Sequence, residues 1–294
     1  MRTWQPHTQR FSSLVFSPDG KLLATTAGQS KLVWLWDAAT GALVRKLSGG
    51  EFPAKAVAFS PDGRHVAAMQ AGPDVRIWEV ETGKLVAALA VESGGTKSLA
   101  FSPDGQSLVV GGCWWTDPTR ESPVPRPPDT TNRVGDLVGF APSGRFVLTS
   151  GSLVTIAAGP DQPSRGFYDP HGHATVNGFA FTRDESKLAV AYQSATAAVF
   201  DLARTLRAAA AGPVLLKGHA GKQVRAIGFA ADGRTAVTAG IDGTCRFWDA
   251  TTGAPLRVFD WGQGVIATAA FAPDGLTCAV GGVKGQVVVW DLDA

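Results

Sequence analysis

Phe16-Ser17-Pro18-Asp19-Gly20, with Lys21-Leu22-Leu23-Ala24-Thr25 after it, is the stretch whose reading decides the fold. The phrase recurs as Phe59-Ser-Pro-Asp-Gly63, Phe101-Ser-Pro-Asp-Gly105 and Phe271-Ala-Pro-Asp-Gly275. Weaker copies are Phe140-Ala-Pro-Ser-Gly144, Phe181-Thr-Arg-Asp-Glu185 and Phe229-Ala-Ala-Asp-Gly233. The seven phenylalanines stand 43, 42, 39, 41, 48 and 42 residues apart, and the 294 residues of the chain are seven times 42. The phrase reads as a tight turn. Proline presets φ at the first central position, aspartate caps the turn, and glycine takes a positive φ that closes a hairpin.

Two positions before each phenylalanine stands Leu14, Val57, Leu99, Val138, Phe179, Ile227 or Ala269, the period-two pattern of a buried strand. A second short strand follows the turn, as in Arg234-Thr-Ala-Val-Thr238. A third ends in Trp36-Asp37, Trp78-Glu79, Phe200-Asp201, Trp248-Asp249 or Trp290-Asp291. Thr40-Gly41, Thr82-Gly83 and Thr252-Gly253 then turn into a fourth strand such as Ala42-Leu-Val-Arg-Lys-Leu47. Four short strands per repeat, without a helix, make one propeller blade.

On these phrases, together with Gly172-His173 and Gly218-His219 before inner strands, the whole chain resembles the WD-repeat β-propeller family. The expected fold is all-β: a seven-bladed β-propeller of four-stranded antiparallel blades, one domain over residues 1–294. The last copy stops after its third strand at Trp290-Asp291. Residues 1–5 are therefore expected to complete that blade beside 285–290 and clasp the ring, which leaves no open sheet edge. In the family a loop His, a Ser/Thr of the second strand, a turn Asp and the third-strand Trp form a buried network. His219, Thr238, Asp242 and Trp248 match it in the sixth copy; the first copy keeps His7, Thr26 and Trp36, with Ser30 where Asp is expected. This is read as a structural network, not a catalytic triad. The third copy is expected to lose its third and fourth strands to Trp114-Trp115 and the proline-rich run that follows. The fourth offers Leu153-Val-Thr-Ile156 in place of Trp-Asp. Leu202 to Gly212 is expected to be a solvated connector, short helical or extended.

Composition narrows function. The chain is 45% apolar and 18% charged, enough for a packed core, and no apolar run of about 18 residues spans a membrane. Met1 to Arg10 is polar, so no secretory signal is read there. Net charge is +2 with scattered basic residues, which makes nucleic acid an unlikely partner. Cys113, Cys245 and Cys278 imply no disulfide framework and suit a reducing cytoplasm; Cys245 and Cys278 read as buried hydrophobes and Cys113 as the accessible thiol. The Ala-, Gly- and Arg-rich composition suits a bacterial chain. No phosphate loop, dinucleotide fingerprint, nucleophile elbow or Cys-x2-Cys pair occurs, and His171 and His173 lack acidic company, so no cofactor, metal or catalytic set is assigned.

One constellation remains. The residues four before each phenylalanine are Ser12, Lys55, Lys97, Asp136, Asn177, Arg225 and Ala267, and the resemblance places them around one mouth of a central channel. It places Trp114, Trp115, Gln29, Tyr192, Lys222 and Lys284 on the same face. Three cations, one acid and one amide make a mildly positive collar suited to an acidic or phosphorylated peptide segment. The function expected is a non-enzymatic scaffold for a protein or peptide partner, a monomer or a module of a larger assembly. The alternatives are a small-molecule- or glycan-binding or hydrolytic propeller and a nucleic-acid-associated scaffold.

Overall fold

The computed structural model describes residues 1–72, 74–91, 98–110, 113–120, 125–126, 137–150, 153–157, 164–168, 175–207, 212–260, 262 and 264–292. Lys97, Asp136, His171 and His173 lie outside the described residues. The chain starts with β1 (Arg2–Trp4). Sheet one follows as β2 (Phe11–Phe16), β3 (Leu22–Ala27), β4 (Val33–Asp37) and β5 (Leu43–Leu47). Sheet two is β6 (Ala54–Phe59), β7 (His65–Gln70), β8 (Asp74–Glu79) and β9 (Leu85–Ala90). Sheet three is β10 (Leu99–Phe101), β11 (Ser107–Val110), β12 (Cys113–Thr116) and β13 (Pro125–Arg126). Sheet four is β14 (Leu137–Phe140), β15 (Phe146–Ser150), β16 (Leu153–Ala157) and β17 (Ser164–Tyr168). Sheet five is β18 (Val176–Phe181), β19 (Lys187–Tyr192), β20 (Thr196–Asp201) and, after helix α1 (Leu202–Arg207), β21 (Val214–Lys217). Sheet six is β22 (Val224–Phe229), β23 (Thr235–Gly240), β24 (Thr244–Asp249) and β25 (Pro255–Asp260). Sheet seven is β26 (Ile266–Phe271), β27 (Thr277–Gly282), β28 (Val287–Asp291) and β1.

The first three strands of each sheet form an antiparallel meander, and the turn between the first two is built into the sequence. The Ser17, Ser60 and Ser102 hydroxyls donate to the carboxylates of Asp19, Asp62 and Asp104 at 2.6, 2.6 and 2.5 Å. Those carboxylates also accept the N–H groups of Lys21, Arg64 and Gln106. Gly20, Gly63, Gly105 and Gly275 take φ of 71–72°, where a side chain would strain the backbone. At the other end of the meander Asp37 and Asp249 accept the N–H groups of Thr40 and Thr252, both at 2.7 Å, and so hold the turn into the outer strand.

Between sheets lies the core. Seven apolar clusters each bridge two sheets that follow one another, and one of them joins Phe11, Leu14 and Phe16 of sheet one to Ala279, Val287 and Val289 of sheet seven. At roughly 1.5–3 kcal/mol per buried large side chain, these faces supply the main cohesion of the molecule. β1 pairs with β28 in the register Arg2↔Val289, Thr3↔Val288, Trp4↔Val287, so residues from the start of the chain are the outer strand of the sheet formed at its end. The architecture is all-β, four-stranded antiparallel sheets packed face to face as in a β-propeller.

Three expectations are corrected. Sheet three keeps all four strands: Trp114 and Trp115 are not loop residues but lie in β12, opposite Val109 and Leu108. The period-two placement of Trp115 drives it into the core beside Leu108 and Val110, at 2% exposure. Cys113 belongs to the same strand and is half-buried. The segment from Leu202 begins as the short helix among its expected forms and not as a solvated loop: Asp201 accepts the Arg204 N–H at 2.9 Å and caps α1, and Leu202 packs into the core of sheets four and five.

Candidate interaction face

The collar positions share a backbone feature that the sequence does not announce. In sheet one the register runs Phe11↔Ala27 then Ser13↔Thr26, so Ser12 has no partner. Sheet two skips Lys55 between Ala54↔Gln70 and Ala56↔Met69. Sheet five skips Asn177, sheet six Arg225 and sheet seven Ala267 in the same way. Each is a one-residue β-bulge, which bends the strand and re-aims the unpaired side chain out of the ladder. Five inner strands carry it at the same step, the end away from the Phe-to-Gly turn.

The bulged side chains differ in what they touch. Asn177 Nδ2 donates to the Val224 carbonyl at 2.7 Å, tying sheet five to sheet six, so its amide is committed to structure. Lys55 is half-buried and Ser12 exposed. Arg225 is half-buried, and its Nε is covered with no hydrogen-bond partner among the described residues. Burial, with the Arg10 guanidinium nearby, pulls the Arg225 pKa down. Arg10 is exposed and Arg225 half-buried, and two like charges near one another favour an anion beside them. None of the five bulged residues is acidic. Arg10 was not singled out in the sequence; its signal is a cation directly before the first residue of an inner strand.

Other members of the expected face separate. Lys222 and Lys284 are exposed, and the Lys284 carbonyl accepts Gln5 Nε2 at 3.3 Å. Trp114 and Trp115 are withdrawn from it by β12; Trp114 packs edge-on against Phe140 at 5.6 Å. Tyr192 is withdrawn as well. It ends β19 opposite Val176, is 0% exposed and sits in the core of sheets four and five. A large amphipathic ring at a strand end is buried when the neighbouring sheet covers it, and only the packing reveals that.

Beside this face lies the polar network of sheet six. His219 Nδ1 is 3.0 Å from Asp242 Oδ1, and His219 Nε2 is 2.7 Å from Thr238 Oγ1. Trp248 Nε1 donates to the same hydroxyl at 2.8 Å. Burial lowers the His219 pKa, and Asp242 offsets part of that shift. In the neutral ring Nδ1–H donates to Asp242 and Nε2 accepts from Thr238, so the donors run in one direction from Trp248 to the carboxylate. His219 is fully buried, so its hydroxyl partner is out of a substrate's reach. In sheet one the hub is Thr25, not Thr26. His7 Nε2 and Trp36 Nε1 both meet Thr25 Oγ1 at 2.9 Å. Thr26 lies on the opposite face of β3, since alternate residues of a strand point to opposite sides. Ser30 Oγ accepts the Leu32 N–H at 3.2 Å, as Asp242 Oδ1 accepts that of Thr244 at 3.1 Å, so Ser30 fills the turn role of Asp242 without its charge.

Among the described residues no group of three or more His, Cys, Asp or Glu could hold a metal, and no helix is long and apolar enough to cross a membrane. Residues 1–37 and 213–249 match the family model described as WD domain, G-beta repeat. These are the two stretches that hold the His–Thr–Trp networks. A segment of 57 residues, 19% of the chain, is 35% identical to an uncharacterized WD repeat-containing protein of Synechocystis sp., of which it covers 16%. Another of 75 residues, 25% of the chain, is 35% identical to Autophagy-related protein 18 of Meyerozyma guilliermondii, of which it covers 13%. The chain thus matches less than a fifth of the length of either relative. With the family model matched on the two network-bearing stretches, the chain carries WD-repeat sequence there and is similar to WD-repeat proteins.

Proposed function

We propose that the seven sheets are the blades of one closed ring over residues 1–294, a non-enzymatic scaffold that binds an acidic segment of a partner protein on its bulged face. The observation that carries this reading is the set of bulges that turn Ser12, Lys55, Asn177, Arg225 and Ala267 out of their ladders at one end of the inner strands. Closure is supported by β1 completing sheet seven and by the shared core of sheets one and seven. WD-repeat proteins generally serve as protein-interaction scaffolds, and the absence of acids from the five bulged positions argues against hydrolytic chemistry there. Lys97 and Asp136 belong to the proposed collar by sequence position. The scaffold is proposed to be cytoplasmic and to work as a monomer or as a module of a larger assembly.

The test is fluorescence anisotropy with a labelled Asp/Glu-rich peptide and a Lys/Arg-rich control. The protein should bind the acidic peptide, more weakly at higher salt, and Lys55→Ala, Lys97→Ala and Arg225→Ala together should weaken binding at least tenfold without moving the melting temperature. Equal affinity in the triple variant overturns the reading.

A further inference from the structure

The turns that depart from the repeat gather around one cavity. At the second position of the turn five sheets hold proline (Pro18, Pro61, Pro103, Pro142 and Pro273), while sheets five and six hold Arg183 and Ala231. Both replacements reach the turn of sheet seven. Ala231 donates its N–H to the Gly275 carbonyl at 2.9 Å, a bond proline cannot make, and Arg183 Nη2 donates to the Pro273 carbonyl at 3.1 Å. Glu185 stands where the other turns have glycine and takes φ 54°; its carboxylate accepts the N–H of Ser143 and, at 2.8 Å, the Ser143 hydroxyl. The turns of sheets four to seven are therefore linked to one another. Among the described residues the turns of sheets one to three carry no such bond.

Inside this linked arc lies a cavity of about 430 Å³. Phe179, Phe181, Ile227, Phe271 and Leu14 supply much of its wall, and no residue of sheets two or three lines it. Gly139 and Gly228 leave room for the rings of Phe179 and Phe271, which a Cβ at either position would overlap. The other inner strands hold Val15, Ala58, Ala100, Ala180 and Ala270 at that position, so the glycines too fall on the cavity's side. The volume suits a small ligand, and apolar walls with few polar groups are the usual composition of such a site. Those polar groups are Arg183 and Asp274. Asp274 is occupied with its own turn, accepting the Leu276 N–H at 2.8 Å. Arg183 spends one donor on Pro273, keeps others, and forms no ion pair among the described residues.

We propose that this cavity binds a small organic anion with an aromatic body, the ring held among Phe179, Phe181 and Phe271 and the acid group held by Arg183. The site is separate from the bulged face, which lies at the opposite end of the inner strands. Two fluorescent probes isolate its two halves: 8-anilinonaphthalene-1-sulfonate carries a ring system and an anion, and N-phenyl-1-naphthylamine is its neutral counterpart. The folded protein should bind both saturably at one site. Arg183→Gln should weaken the sulfonate about tenfold and leave the neutral probe unchanged, Arg183→Lys should retain most of the sulfonate affinity, and Ala231→Trp, filling the rim, should weaken both about tenfold. Arg183 and Ala231 are exposed, and a urea melt of each variant establishes that it is folded. Absence of saturable binding, sulfonate affinity indifferent to Arg183→Gln, or equal loss of both probes in that variant overturns the proposal.

Discussion

Sheet one and sheet six hold the same hydrogen-bonded hub in different surroundings. In sheet six the His219 ring is closed on both nitrogens, by Thr238 and by the carboxylate of Asp242. In sheet one His7 keeps the threonine, but Ser30 offers no charge, and three aromatic rings close around the imidazole. Phe11, Trp34 and Trp36 stand edge-on to it at centroid distances of 5.0, 4.3 and 5.8 Å. One copy satisfies its histidine with polar partners, while the other makes it a packing element. The consequence is electrostatic: burial takes the His7 pKa from 6.5 down to about 4, whereas for His219 the acid works against burial. The two copies also differ in how the histidine arrives. His219 follows β21 of the preceding sheet, while His7 follows β1 and is held by its N–H to the Gly285 carbonyl at 3.2 Å.

That last difference predicts the largest effect. Deleting residues 1–6 removes β1 from sheet seven and the tether of His7 together. The melting temperature should fall by about 6–10 °C, corresponding to about 3 kcal/mol in a chain of this size. Hydrogen exchange should accelerate in sheets one and seven while sheet six stays protected; an unchanged melt would sink the role of β1. Next come the hubs. Thr238→Val strands His219 Nε2 and Trp248 Nε1 in a dry interior and should cost about 3 kcal/mol in a urea melt. Thr25→Val should cost less, about 2 kcal/mol, because His7 and Trp36 are each 8% exposed. Equal costs would mean that the closed network of sheet six adds nothing.

Acid should expose the contrast in a different way. The His7 pKa is lower folded than unfolded, so between pH 6.5 and about 4 the unfolded chain binds more protons. His7 therefore contributes its stability in full above pH 6.5 and loses it as pH falls toward 4, by up to about 3 kcal/mol. A His7→Gln variant should flatten that part of the stability profile. The smallest effect is also the most specific. Ser30→Asp installs in sheet one the acid that sheet six has, and should raise the His7 pKa, read by NMR titration, with a gain of about 0.5–1 kcal/mol at neutral pH. A pKa that stays near 4 would show that the aromatic cage, not the missing acid, governs His7.

Much of this molecule was legible in one dimension. Strand, turn and sheet spacing follow from the Phe-to-Gly phrase, because each turn residue has a local reason to be there: a fixed φ for Pro18, a capping carboxylate for Asp19, a positive φ for Gly20. The His219 network was legible through the family resemblance, since its members recur at fixed steps from the turn. Less was legible where the pattern slips. The Trp114-Trp115 pair lacks the usual Trp-Asp ending and looked like a loop, yet its alternation places one ring in the core and one against Phe140.

By itself the sequence determined the repeat, the number of sheets and the residues that enter the turns, because all of these depend on neighbours within a few positions. Only the tertiary structure decided which threonine serves His7, that Tyr192 is buried, that Ser12, Lys55, Asn177, Arg225 and Ala267 are bulged, and that the turns of sheets four to seven join around a cavity. A bulge is a property of two strands paired in register, and a buried ring or a cavity is a property of two sheets brought together. Neither is written in either partner alone.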